Sequence, residues 1–183
     1  MEDEQALIAQ ARQDRERFAL LYDRYVERIY AYACRETHDI TLAQDVTSAT
    51  FEKALRHLDQ YRWQGTTFGA WLYQIARNEI LMQYRRQKWT VPLLGWLIGG
   101  RDPEQTFQEQ SELSTVQRAM NQLRGRDQEI LRLHYFEQLS HEEIGQVLSC
   151  SSRNVAVRLH RALERLRTQV AAASPEVRYD ILI

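Results

Sequence analysis

The sequence predicts an all-α protein built as two small helical domains joined by a flexible linker. Three observations carry that prediction. Runs rich in Ala, Leu, Gln, Glu and Arg fill most of the 183 residues, and these side chains lose little freedom in a helix. Apolar residues recur at threes and fours rather than alternately, which is the helical period. Glycine and proline are scarce, with seven and three in the chain, yet three glycines and two prolines fall between Pro92 and Pro103. The lobe boundary is therefore expected between Trp89 and Ser114.

Each element follows from local pattern. Residues 3–33 read as one or two helices, with Phe18, Leu21, Tyr22, Tyr25, Ile29 and Tyr32 on a common face. "THDI" interrupts them. Thr41 and Gln44 then have capping-box spacing and open a helix to Leu58, with Val46, Phe51, Leu55 and Leu58 inward. "DQYRWQGTTFG" is a break of glycine, hydroxyl and aromatic residues. A helix from Phe68 to Lys88 follows, with Trp71, Leu72, Ile75 and Ala76 facing the core. In the second lobe, one helix over Ser114–Leu123 carries Val116, Met120 and Leu123 on one side. The next, over Asp127–Glu137, buries Ile130, Leu131 and Leu133 or Tyr135. Ser140 and Glu143 form a second capping box, "SCSS" is a tight turn, and a long final helix runs to Ala172. Two helices about a short turn, the second one basic, have helix-turn-helix organisation. "SPEVRYDILI" is a tail whose apolar end has no evident docking place.

Composition narrows the function. A net charge of −1 is not that of a uniformly basic nucleic-acid binder, but charge is unevenly spread. Between Cys150 and Arg167 five arginines face one glutamate, and Arg77, Arg85, Arg86 and Lys88 cluster against Glu79 alone. The stretch from Asp102 to Glu112 is purely acidic. Separate basic patches on a near-neutral chain still bind a polyanion locally. Cys34 and Cys150 lack metal-ligand spacing and read as reduced thiols. The acidic, amphipathic start is no signal peptide, and "VPLLGWLIGG" is too short to cross a bilayer, so a cytoplasmic protein without membrane insertion is expected. There are no paired carboxylates at credible spacing, no glycine-rich phosphate loop and no nucleophile constellation, and the histidines are scattered. An enzyme is not expected, nor a cofactor or metal.

The final helix decides between a DNA reader and an ordinary solvated face. At about 100° per residue, Val155, Leu159, Ala162, Leu163, Leu166 and Val170 fall within about 100° and form the buried stripe. Asn154, Arg158, Arg161 and Arg165 fall within an arc of about 60° on the other side. Solvated faces usually mix signs and pair at i,i+4. This ridge is all donors and follows directly on a helix-turn-helix turn. Arginine donates twice to guanine, and asparagine pairs likewise with adenine, so major-groove reading is the better account.

Lobe one offers other chemistry. Tyr61, Trp63 and Phe68 surround a polar loop, and the helix after it ends in Arg85, Arg86 and Lys88. Rings beside cations suit single-stranded nucleic acid, because bases stack while cations track phosphates. Trp63 and Phe68 are equally placed to face solvent or to fill the core.

Two blocks of the chain together resemble a known family. "FALLYDRYVERIYAYA", "AQDVTSATFEKAL" and "FGAWLYQIARNEILMQYRR" resemble region 2 of the extracytoplasmic-function (ECF, group 4) sigma factors of the sigma-70 family. "QLRGRDQEILRLHYFEQLSHEEIGQVL" and "VAVRLHRALERLR" resemble their region 4. The blocks cover residues 15–170 in the family's order. The resemblance implies a region 2 domain over 1–90, a linker over 91–113, a region 4 helix-turn-helix domain over 114–172 and a tail over 173–183. It implies binding to core RNA polymerase, at the clamp helices of the largest subunit and the flap of the second-largest. It also implies −10 melting, with an extruded base held beneath the Tyr61–Thr67 loop, and −35 reading by the last helix. On this mapping Tyr61, Arg62, Trp63, Phe68, Arg77, Asn78, Arg85 and Arg86 serve the −10 region. Arg153, Asn154, Arg158, His160, Arg161 and Arg165 serve the −35 region. Arg161 is the leading base reader, with Arg158 and Arg165 set toward phosphates. Asp45, Thr50 and Phe51 match the polymerase-contact positions. An anti-sigma partner is common in the family, and no residue here identifies one.

The chain departs from the family's pattern in places. Ser48 and Ala49 stand where the family has Gln-Glu or Gln-Asp, and Met82 stands where Asp commonly follows "ARN". Ala156 and Val157 replace basic and small hydroxyl residues, and "SCSSRN" replaces a Gly-x-Pro-x-Gly-Thr turn. An unusual −35 preference or a weaker −35 contact is expected. "LLGWLIGG" is apolar where linkers are polar, and it either packs on a lobe or offers a sticky surface to a regulator. Two other readings fit the residues. One is a helix-turn-helix regulator binding duplex DNA without polymerase. The other is a degenerate sigma-like module that binds protein but reads no promoter.

Overall fold

The computed structural model describes residues 2–63, 65, 67–90 and 115–173. The expected linker with its apolar Leu93–Gly100 stretch, the acidic run after Asp102, and the tail beyond 173 lie outside the described residues. All regular structure among the described residues is helical. Lobe one comprises α1 (Glu2–Gln13), α2 (Phe18–Thr37), α3 (Ile40–Arg56) and α4 (Phe68–Thr90). Single 3-10 turns at Arg15–Arg17 and Leu58–Gln60 join α1 to α2 and follow α3. Lobe two comprises α5 (Thr115–Gln122), α6 (Gly125–Tyr135), α7 (His141–Leu148) and α8 (Ser152–Ala173).

In lobe one, α2, α3 and α4 pack together, and α1 lies along α2. Leu21, Ile29, Tyr32, Val46, Leu58, Phe68, Leu72 and Tyr73 are all but fully buried there. Each contributes on the order of 1.5–3 kcal/mol by leaving water. The start of α3 differs from expectation. Asp39, not Thr41, is the N-cap, in extended conformation, and its carboxylate accepts from Leu42 N–H at 3.0 Å. Asp39 lies nearer the end of α2, so the connection is shorter than the Thr41–Gln44 spacing suggested.

Lobe two is held by α8, which packs on α5, α6 and α7. Val155, Leu159, Ala162, Leu166 and Val170 are its buried stripe, with Leu163 at the margin. The Ser140–Glu143 capping box is complete, with Ser140 accepting from Glu143 N–H and Glu143 from Ser140 N–H. Leu133 is the buried member of its pair, whereas Tyr135 is exposed. Ala119 on α5 and Leu123 just after it take the core, leaving Val116 exposed. The turn between α7 and α8 depends on Gly145. A Cβ there would lie 2.6 Å from Cys150 O, whose own N–H returns to Gly145 O at 2.8 Å.

Candidate nucleic-acid interface

The basic face of α8 begins right after this turn. Ser151 Oγ accepts from Asn154 N–H at 3.2 Å and closes the first turn of the helix. Arg153, Asn154, His160 and Arg161 are exposed. Among the described residues, the side chains of Arg153, His160 and Arg161 have no hydrogen bond or ion pair. The rest of the ridge is engaged. Arg158 is half-buried, its Nη1 4.0 Å from Cys150 Sγ. Arg165 Nη1 donates to both carboxylate oxygens of Asp127 at 2.9 Å. The geometry thus separates the free Arg153, His160 and Arg161 side chains from the engaged Arg158 and Arg165.

In lobe one, the segment after α3 borders a groove of about 570 Å³, lined by Lys53, Tyr61, Arg62, Trp71, Asn78 and Glu79 among others. That volume suits a small planar ligand. Arg62 and Asn78 are exposed, and Trp63 is half-buried against the core. Lys53 and Glu79 form an ion pair in the groove wall. Tyr61 packs edge-on against Phe68 and tilted against Trp71, with centroids 5.3 and 4.9 Å away. Its hydroxyl is buried and has no hydrogen-bond partner among the described residues. Burial first, then the Glu4 charge, pushes its pKa up to about 12, so the hydroxyl remains a proton donor at neutral pH. Sequence reasoning named Tyr61 for its ring. The unsatisfied hydroxyl, the more informative feature, depends on three-dimensional surroundings that no spacing reveals.

Several expected contacts are placed otherwise. Phe68, expected at the DNA, is fully buried at the start of α4, where its ring backs Tyr61 and Trp71. Thr50 is fully buried, with Oγ1 donating to Val46 O at 2.7 Å. Phe51 is buried and packs edge-on against Tyr22, centroids 4.7 Å apart. Both hold α3 in place, while Asp45 is the exposed member of the matched set. Arg85 and Arg86 are exposed near the end of α4.

Arg77 has an unexpected partner. Its Nε donates to Glu129 Oε1 of lobe two at 2.7 Å, and both side chains are largely buried. It belongs to a band of bonds between the lobes. Arg132 grips Glu36 with both arms, Nε to Oε1 at 2.6 Å and Nη2 to Oε2 at 3.0 Å. Glu137, 4% exposed, pairs with Arg35 and accepts from Tyr73 Oη at 2.7 Å. Its carbonyl accepts from Arg28 at 3.2 Å. Thr67 donates to Glu143, and α7 packs on α4, where Gln146 lines the lobe-one groove. Lobe two therefore sits over part of that groove. No helix among the described residues is long and apolar enough to cross a membrane, and no His, Cys, Asp or Glu cluster among them is arranged for a metal ion.

Comparison with known proteins meets this geometry from outside. The family described as Sigma-70 region 2 matches residues 21–90, and that described as Sigma-70, region 4 matches residues 113–166. The RNA polymerase sigma factor YlaC of Bacillus subtilis (strain 168) is 31% identical over 164 residues, covering 86% of this chain and 94% of YlaC. The RNA polymerase sigma-H factor of Pseudomonas aeruginosa is 30% identical over 178 residues, 90% of this chain and 92% of that protein. Bacillus subtilis also has the ECF RNA polymerase sigma factor SigM, 29% identical over 150 residues and covering 80% of this chain and 91% of SigM. Among solved structures, CnrH in complex with the cytosolic domain of CnrY is similar at a TM-score of 0.68 and 26% identity, covering 93% of this chain and 99% of CnrH.

Proposed function

The chain belongs to the extracytoplasmic-function group of the sigma-70 family, and from that premise we propose how its two lobes share a promoter. It is an RNA polymerase sigma factor, which directs core polymerase to particular promoters. It confers specificity rather than catalysing a reaction, and it works in the cytoplasm, where polymerase meets DNA. Residues 1–90 form the −10 lobe and 114–172 the −35 lobe, with 91–113 as linker and 173–183 as tail. One observation carries this division: a single chain holds an exposed arginine front on a helix-turn-helix and a separate groove walled by Tyr61 and Trp71 and edged by Arg62 and Asn78.

In lobe two, Arg161 reads a base and Arg153 meets phosphate near the helix N-terminus, where the dipole favours anions. Asn154 and His160 flank them. Arg158 and Arg165 touch phosphate only after leaving Cys150 and Asp127. In lobe one, the groove receives a base drawn out of the stack. Extrusion costs a few kcal/mol, which stacking on Trp63, next in the chain to the groove-lining Arg62, offsets at about 1–3 kcal/mol, with ~1 kcal/mol from the Tyr61 hydroxyl once the base uncovers it. Arg62 and Asn78 border the groove, and Arg85 and Arg86 track the strand. Arg77 joins them once Glu129 releases it. The lobes must therefore part for promoter work, and core polymerase, holding the Asp45 face of lobe one and separately lobe two, separates them. The CnrH structure holds the cytosolic domain of CnrY, and the reading extends to a protein partner of that kind here.

Mixing the protein with core polymerase and promoter fragments carrying a pre-melted −10 bubble tests the reading. Polymerase-dependent binding and initiation are expected. Duplex binding without polymerase would instead make the chain a plain helix-turn-helix regulator. Polymerase binding with no initiation would make it a degenerate module, the outcome toward which Ser48-Ala49 and Ala156-Val157 point.

A further inference from the structure

Helix α1 turns one charged side chain, Glu4, inward, which packing alone does not require. Glu4 is 6% exposed, and an unpaired buried carboxylate is costly unless hydrogen bonds satisfy it. Here they do. One oxygen accepts from the Tyr25 hydroxyl, and the other accepts from Phe68 N–H at 3.2 Å, a donor the first turn of α4 leaves open. Gly69 allows this closure, because a Cβ there would stand 2.8 Å from the Tyr25 ring.

The far end of α1 grips the opposite stem of the same loop. Arg12 Nε donates to Leu58 O at 3.2 Å, and its Nη2 donates to Tyr61 O. Just beyond, Arg15 donates to Leu55 O and to Asp59 Oδ2, each at 2.6 Å. Tyr61 on one side and Phe68 on the other are therefore both bonded to side chains of one helix.

We propose that α1 is a brace for this segment, with Glu4 and Arg12 as positioning residues that set Tyr61 and Trp63 before a base arrives. The proposal rests on the reading of the Tyr61–Thr67 loop as the −10 pocket. Neither residue touches the base. A loop already shaped loses less conformational freedom when it binds, so the brace acts on base capture and not on −35 reading.

The test uses holoenzyme carrying the full-length E4Q, R12Q, R12K or W63A protein. Two probes are compared: a fork DNA with a single-stranded non-template −10 segment, and a closed duplex bearing only the −35 element. E4Q and R12Q should each weaken fork binding about tenfold with −35 duplex binding unchanged. R12K, which keeps one donor to the carbonyls, should recover part of the loss. Amide exchange across residues 61–67 should quicken in both weakened variants. W63A separates the two readings. If W63A binds the fork as well as the parent does, the pocket assignment itself is wrong. If W63A fails while folded E4Q and R12Q bind normally, the brace is wrong. Equal loss on both probes would reduce Glu4 and Arg12 to general folding residues and overturn the proposal.

Discussion

The arginine front of α8 lies on one helix, whereas the lobe-one groove draws its walls from α3, the turn after it, α4 and Gln146 of lobe two. The difference governs what each surface is free to do. The first surface is exposed as it stands, with Arg153, His160 and Arg161 already turned to solvent. The second is assembled from distant residues and partly covered, and the Lys53 cation in its wall is paired with Glu79. A duplex reader needs a rigid convex ridge that a groove can receive. A pocket for an extruded base needs walls, and walls come only from several elements. On the proposed reading, lobe one is thus the surface that opening would regulate, while the α8 front needs no opening.

Alkaline pH should separate the lobes most sharply. Burial raises the pKa of Tyr25, Tyr32, Tyr61 and Tyr73 in lobe one, with Glu4 or Glu137 adding to it at Tyr25 and Tyr73. Lobe two has one tyrosine among its described residues, the exposed Tyr135. An unfolded tyrosine loses its proton near 10.0, while folded Tyr61 holds its own to about 12. The stabilisation is full below the unfolded value and is lost as pH climbs toward the folded one. Each such tyrosine removes about 1.4 kcal/mol per pH unit inside that window. Residue-resolved hydrogen exchange above pH 10 should find lobe one opening first; simultaneous opening of both lobes would contradict the assignment.

The next effect is on closure. Glu137→Ala leaves Arg35 and the buried Tyr73 hydroxyl without their acceptor, at a cost of about 3 kcal/mol. That shifts the balance between closed and open lobes about a hundredfold. Fluorescence transfer between dyes on the two lobes should report longer distances, and unchanged transfer would mean that the band does not hold the lobes together.

Arg161→Ala should cost about 1–3 kcal/mol at one −35 position. Arg165→Ala, already tethered to Asp127, should cost under about 1 kcal/mol on DNA. Titration against a panel of −35 variants checks both. A uniform loss for Arg161→Ala would make it a phosphate contact. The smallest effect is expected of Tyr61→Phe, which should weaken fork binding by about 1 kcal/mol. Because the hydroxyl has no partner among the described residues, the variant's thermal stability should not fall. A drop in stability would place the hydroxyl's role inside the fold.

Much of lobe two was legible in advance. The buried stripe of α8, the Ser140–Glu143 box and the helix-turn-helix order all depend on neighbours within about one or two helical turns, and all stand as read. Lobe one was less legible at the places that matter most. Phe68 sits in an aromatic cluster where ring count cannot tell core from surface, and the matched Thr50 and Phe51 point inward. The cap at Asp39 was missed because two capping signals lay two residues apart and only the fold chooses between them.

The amino-acid order by itself determined the helices, their inward faces and the cationic front of α8, since those follow from periodicity and from side chains a turn apart. Tertiary structure alone decided which charges are free. Arg77 meets Glu129 across 52 positions of chain, Arg12 reaches Tyr61 across 49, and Arg28 reaches Glu137 across 109. Such partners are chosen by how packed helices bring distant segments together, and no local rule of spacing contains that information.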